Sequence, residues 1–156
     1  EERTLYLFDV RSPEEYAHGH LAGSHVLMEM AAVILSSIRD TDAVARYGGD
    51  EFVIVLPDTE IELAGTVAER IREKIAQHRF NAGRNLKLSL TASFGVAAFP
   101  EHASSPQQLI AAADTAMYEA KAAKKNCVRF SASLARGWQA LVRRLEGASL
   151  PAPLHR

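Results

Sequence analysis

The chain has one cysteine, one tryptophan and almost no net charge, and no apolar run long enough to cross a bilayer. Cys127 alone excludes an intramolecular disulfide. It sits in the apolar run "NCVRF", which reads as a buried strand and fits a reducing cytoplasm. The longest apolar stretch, "VLMEMAAVIL", is interrupted by Glu29 and falls short of the roughly 20 residues a spanning helix needs. The N-terminus lacks the charged-then-apolar order of a secretion signal. The expectation is a cytoplasmic chain that does not insert in the membrane, as a piece cut from a larger membrane protein would also read. Eighteen basic against nineteen acidic residues leave a formal charge of -1, so nothing attracts a nucleic-acid polymer or an anionic bilayer over the whole surface. A small charged ligand stays compatible. There is no internal repeat and no low-complexity tract. What is present is 156 residues with 47% hydrophobic content, enough for one globular domain with a real core.

Strand and helix patterns alternate. "TLYLFDV" reads as a strand ending at Asp9, and "SPEEYAHGHLAG" as a short helix with a serine cap and a first-turn proline. "SHVLMEMAAVILSSIRD" carries a helical stripe through Met30, Val33 or Ile34, and Ile38. Ala43 to Tyr47 and Phe52 to Leu56 read as the arms of a hairpin reversed at Gly48 and Gly49. Thr59 and Glu62 form a capping-box pattern ahead of a helix on which Ile61, Ala64, Ala68, Ile71 and Ile75 recur at helical spacing. "LKLSLTASFGVAAFP" is mostly strand, with Gly95 marking a bulge or a close backbone approach. Ser105 and Pro106 open a further helix with Leu109, Ala113 and Ala120 inward, and "NCVRF" is the last strand. An amphipathic helix carrying Leu134, Trp138, Leu141 and Leu145 follows, then a frayed "PAPLHR" tail. The expected fold is α/β, an α+β sandwich with helices over a sheet.

A turn needs only the two glycines, so Asp50 and Glu51 on the same bend call for another explanation. Carboxylates on an exposed hairpin tip can reach a cation that phosphate oxygens also bind, and magnesium favours one or two carboxylates plus substrate phosphates. Asp9, ending its own strand, is the candidate second acid for an in-line phosphoryl or nucleotidyl displacement. The bland alternative is a solvated turn.

The stretch "GGDEF" at residues 48–52, with "RDTDAVARYGGDEFVIVLP", "LTASFGVAAFP" and "ADTAMYEAKAAKKN" in order, resembles the GGDEF domains of bacterial diguanylate cyclases. The resemblance covers about Val26 to Phe130. It implies a nucleotidyl-cyclase-like fold with a central, mostly antiparallel five-stranded sheet flanked by helices, and here an extra C-terminal helix. It divides the chain into a GGDEF-type domain at 1–130, divergent and shortened at 1–25, a C-terminal helix at 131–150 and the tail at 151–156. It further implies condensation of two GTP, held on two facing subunits of a homodimer, into the signalling molecule cyclic di-GMP. By resemblance, Asp50, Asp9 and the Val10 carbonyl ligate Mg2+ (Mn2+ being possible). Gly48 and Gly49 let the backbone approach the nucleotide, Glu51 assists the attacking ribose 3'-hydroxyl, and Lys121 and Lys125 reach the phosphates. The two lysines also fit a helix C-terminus without any ligand. Arg39 and Asp42 match the family's R-x-x-D inhibitory site for product cyclic di-GMP, where an arginine fork grips phosphate or a guanine edge. Their alternative is a helix-end ion pair of little worth.

The chain also departs from the family. It starts at the first strand, before which the family carries a D-x-L-T-G-L-x-N-R segment that helps cover the sheet; either the chain is a trimmed piece or another element covers that surface, the helix around Trp138 being the candidate. After Asp9 the family's asparagine is missing, and Ser24 replaces the aspartate that would read the guanine edge, which weakens base discrimination. Two readings stay open: an active cyclase with product inhibition, or a degenerate domain that binds cyclic di-GMP or GTP as a regulatory module. "LFDVRSPEEYAHGHLAGS" also resembles the opening motif of rhodanese-like domains, but the thiolate that sulfur transfer requires is absent from that region. His18, His20 and His25 lack a cysteine or acid at a familiar metal-ligand spacing, so they read as solvated or locally bonded side chains.

Overall fold

A computed structural model describes residues 3–11, 24–81 and 87–132, with only the backbone described for 3–11 and for Ser24. The helix expected within 12–23, with His18 and His20, and the C-terminal helix and tail from 133 onward lie outside the described residues. Hairpin chemistry, one long helical stripe after another and β-branched runs give the order β1 (Arg3–Arg11), α1 (Ser24–Leu35), β2 (Ala43–Gly48), β3 (Glu51–Pro57), α2 (Ile61–Gln77), β4 (Phe80–Asn81), β5 (Lys87–Leu88), β6 (Thr91–Phe99), α3 (Pro106–Ala123) and β7 (Val128–Phe130). Five strands form one sheet in the order β2-β3-β1-β6-β7, and β4 and β5 pair separately. Every neighbour in the large sheet is antiparallel except β6 and β7.

Strand alternation sorts the core into two layers. On one face, Phe52, Ile54 and Leu56 of β3 and Phe94 and Val96 of β6 pack with Met30 and Ile34 of α1 and Ile71 and Ile75 of α2. On the other, Ala97 of β6 meets Leu109, Ala113 and Met117 of α3, with Val53 and Val55 at the margin. β6 is therefore covered on both sides and buried from Ala92 to Ala98, which is why its sequence shows no polar alternation. Gly95 is the point of closest approach: a Cβ there would lie 2.0 Å from the Ala113 carbonyl oxygen and 2.4 Å from the Met117 amide nitrogen. The β1–β6 ladder runs through Leu7↔Gly95 without a shift, so the glycine serves helix packing and not a bulge.

Several local expectations change. α1 stops at Leu35 because Ser36 and Ser37 hydroxyls both donate back to the Val33 carbonyl, while Arg70 and Lys74 of α2 donate to the Ser37 and Ser36 carbonyls. These bonds take over carbonyls that a continuing helix would need. α2 has Glu60 at its N-cap with no side-chain cap bond, and the Thr59 hydroxyl donates to the Pro57 carbonyl, so the capping-box start is displaced by one residue. α3 keeps its expected start, with Ser105 Oγ accepting from the Gln108 amide and Pro106 in the first turn. "LKLSLTASFGVAAFP" divides into β5 and β6 around Ser89 and buried Leu90. "NCVRF" is not a buried strand: among the described strands β7 is the sheet edge, Cys127 and Val128 are half-buried, and Arg129 and Phe130 are exposed.

Candidate active site at one end of the sheet

The β2–β3 hairpin is shaped by its two glycines. The register shifts between Arg46 and Gly48, and Gly49 then turns through the left-handed region at φ 46°, where a side chain is disfavoured. Arg46 Nε donates to the Gly49 carbonyl at 2.8 Å and ties the turn. A Cβ at Gly48 would meet nothing within 4 Å, so the backbone there faces open space. Asp50 is half-buried at the tip, and Glu51, also half-buried, opens β3.

Strand register carries this tip across the sheet. Glu51 pairs with Asp9 of β1, Asp9 pairs with Ser93 of β6, and Ser93 Oγ accepts from the Asn126 amide at 3.1 Å. Adjacent strands lie about 4.8 Å apart, so Glu51 and Ser93 are separated by about 10 Å. The segment after α3 joins the same row. Lys125 and Asn126 both take left-handed φ, 52° and 45°, and the Lys125 amide donates to the Ala120 carbonyl at 3.0 Å. Arg72 of α2 holds this segment: its Nη1 donates to Asn126 Oδ1 at 2.9 Å, and its other donors fork onto Glu69. That bond to Glu69 raises the Arg72 pKa, against partial burial. Lys121 is half-buried in the last turn of α3 and Lys125 is exposed beyond it. Ser93, Asn126 and Arg72 were absent from the sequence reading; consecutive left-handed positions after a helix are not visible in a string of lysines and an asparagine.

Strand register brings the end of β1 to this same end of the sheet. Pairing of β1 to β3 stops at Asp9, whereas pairing to β6 continues to Arg11, so residues 10 and 11 lie past the hairpin on the β3 side. The chemistry of Asp50, Asp9 and a main-chain carbonyl at position 10 suits Mg2+, a hard ion that takes oxygen ligands and completes its shell from phosphates. Among the described residues, no three His, Cys, Asp or Glu side chains gather into a self-sufficient metal cluster.

Arg39 and Asp42 occupy the turn between α1 and β2, at the opposite end of β2 from the glycines and roughly 20 Å along the strand. The helix-end ion pair is not formed there. Asp42 Oδ2 instead accepts from the Arg39 backbone amide at 2.7 Å, leaving Asp42 Oδ1 buried without a hydrogen-bond partner. Arg39 is exposed.

Comparison with known proteins decides the family. Residues 15–127 match the family model described as diguanylate cyclase, GGDEF domain. The chain belongs to the GGDEF family. This GGDEF domain is 38% identical over 114 residues to diguanylate cyclase A of Treponema denticola, covering 73% of this chain and 30% of that protein. It is similar to the crystal structure of the GGDEF domain of TpbB (YfiN) from Pseudomonas aeruginosa, with a TM-score of 0.76, 32% identity, and 85% of this chain and 83% of that one covered. It is also similar to the GGDEF domain of DgcB from Caulobacter crescentus, solved in complex with c-di-GMP, with a TM-score of 0.73, 26% identity, and 83% and 77% covered. The chain spans between 16% and 32% of the length of the curated relatives it matches. The nucleotidyl-cyclase-like α/β fold and the largely antiparallel five-stranded sheet expected from the GGDEF motif are those observed. The family match begins after β1, so the position of Asp9 beside the hairpin rests on strand register. No helix among the described residues is long and apolar enough to cross a membrane.

Proposed function

We propose that this GGDEF domain is a diguanylate cyclase that joins two GTP into cyclic di-GMP, working as a homodimer with each subunit holding one nucleotide. The observation that carries the reading is the row Glu51–Asp9–Ser93–Asn126, which gathers acids and a lysine-bearing loop at one end of the sheet. Gly48 and Gly49 admit the triphosphate against bare backbone, and Lys121 and Lys125 bind its oxygens. Asp50 and Asp9 with the Val10 carbonyl would hold Mg2+ or Mn2+, which when bound offsets the charge of the triphosphate and orients it. Glu51 takes the proton of a ribose 3'-hydroxyl as that oxygen attacks the α-phosphorus of the facing GTP. A P–O bond forms to the 3'-oxygen, the bond to the bridging oxygen breaks, and pyrophosphate leaves. Repeating the step in the reverse direction closes the ring. Two facing half-sites turn a bimolecular encounter into a positioned reaction, so the dimer is intrinsic to the chemistry.

A second reading has its own support. The buried, unpartnered Asp42 Oδ1 beside an exposed Arg39 suits a ligand with both donor and anionic groups, as the guanine and phosphate of cyclic di-GMP have. With Ser24 where the family reads guanine, the domain could bind cyclic di-GMP at Arg39 and Asp42 without turnover. Incubating the protein with GTP and Mg2+ and resolving products by chromatography, beside calorimetry with cyclic di-GMP, separates the two. The cyclase reading expects cyclic di-GMP from the wild type and none from Asp50→Ala. Binding without product at high protein concentration would leave only the regulatory module.

A further inference from the structure

The bulge in the β2–β3 hairpin sets one side chain apart from the ladder. Between Arg46↔Phe52 and Gly48↔Glu51, β2 takes two steps where β3 takes one, so Tyr47 is the extra, unpaired residue. A bulge of this kind re-aims its side chain and is common beside active sites. A tyrosine that serves packing buries its ring or bonds its hydroxyl. Tyr47 does neither: it is 58% exposed, and among the described residues its side chain has no hydrogen bond and no ring partner. Its chain neighbour Gly48, with a Cα about 3.8 Å away, faces open space, so a ligand held against that glycine backbone lies within a side chain's length of Tyr47.

The fold brings a second position to the same place. α1 enters the turn at 36–42 and β2 leaves it, and the two elements touch, so Ser24 at the start of α1 and Tyr47 near the end of β2 share the far end of the pair. The 12 residues of α1 rise about 18 Å and the stretch from Ala43 to Tyr47 about 13 Å, so the two ends lie at comparable height. A serine offers one short hydroxyl, too little to grip the edge of a purine by itself. A base can instead be held by its face, and an exposed aromatic ring supplies the matching surface. We propose, on the strength of the cyclase reading above, that Tyr47 binds the base of the nucleotide: its ring stacks on the purine while the triphosphate lies over Gly48 and Gly49. Stacking carries no hydrogen-bond code, so the base is held by its π face and the larger ring system of a purine gains most.

Calorimetry on the full chain with 3'-deoxy-GTP and Mg2+ measures binding without turnover, because the analogue lacks the attacking hydroxyl. Inorganic triphosphate with Mg2+ is the base-free probe. Tyr47→Ala and Tyr47→Leu should each weaken 3'-deoxy-GTP binding about tenfold, and Tyr47→Phe should stay within about twofold of the wild type. All of these proteins should bind triphosphate alike. Equal loss for both probes would mean a disturbed hairpin and would overturn the proposal, as would unchanged nucleotide affinity in Tyr47→Ala or a leucine as good as the tyrosine. If the wild type holds triphosphate but gains nothing from the base, stacking fails while the phosphate site of the cyclase reading stands. A wild type that binds neither probe would sink both. An effect confined to dimer formation, read by sedimentation, would assign the ring to a second copy and equally defeat base stacking.

Discussion

Substituting Gly95 tests the packing of α3 on β6, next to the candidate site. The Cβ of Gly95→Ala would stand 2.0 Å from the Ala113 carbonyl oxygen and 2.4 Å from the Met117 amide nitrogen, where ordinary contact begins near 3.4 Å. Both neighbours are main-chain atoms in the middle of α3, so the helix must lift by roughly 1.5 Å or β6 must bend, and neither is a soft motion. Overpacking costs about 1–3 kcal/mol in ordinary cores, and a clash with rigid backbone belongs at the upper end, at about 3 kcal/mol. For a domain of this size that is a fall in Tm of about 10 °C. Gly65→Ala is the control. Its Cβ would come as close, 2.3 Å, but to the Phe130 ring, a half-exposed side chain on an edge strand that can rotate away. The expected loss there is under about 1 kcal/mol. Thermal and urea unfolding followed by circular dichroism measure both. A Gly95→Ala protein melting within about 2 °C of the wild type, or Gly65→Ala the worse of the pair, would refute the account of α3 packing.

Asn126→Ala removes the acceptor for Arg72 Nη1 and should destabilise by about 1 kcal/mol, with a severalfold rise in KM for GTP and little change in kcat; a changed kcat at constant KM would separate the loop from phosphate binding. Arg39→Ala should leave initial rates of product formation intact while abolishing inhibition by added cyclic di-GMP, and retained inhibition in a dose series would remove Arg39 from that site. The Glu29 carboxyl is held below its ordinary pKa of 4.5, first by the Asn81 amide and then by His78. A depressed folded pKa contributes stability that is complete above the unfolded value and is lost as pH falls through the folded one. The Tm difference between wild type and Glu29→Gln should therefore shrink as pH falls below 4.5, and parallel Tm–pH curves would count against the contact.

Much of this protein was legible in the order of its residues. Short-range chemistry writes itself into sequence, so the Ser105–Pro106 start of α3, the helical stripe of α2 and the Gly48–Gly49 reversal appear where local pattern places them. The ordered motif blocks named the family, and with it a mostly antiparallel five-stranded sheet. Where local and distant partners competed, the pattern misled. The stripe of α1 runs on past Leu35, but Arg70 and Lys74, thirty-odd residues away, take the carbonyls on which continuation depends. The apolar letters of "NCVRF" mark a strand without saying that it is an edge.

The grouping of residues at the candidate site was decided only by the tertiary structure. Asp9 and Glu51 are forty-two positions apart in the chain and become direct partners because β1 inserts between β3 and β6. Ser93 and Asn126 then extend the row, and Arg72 braces it from a helix on which nothing in its neighbours signals that task. Sequence determines which side chains can serve as acid, base or fork, since that is a property of each residue; strand register determines which of them meet, since it depends on hydrogen bonds between segments that share no local pattern.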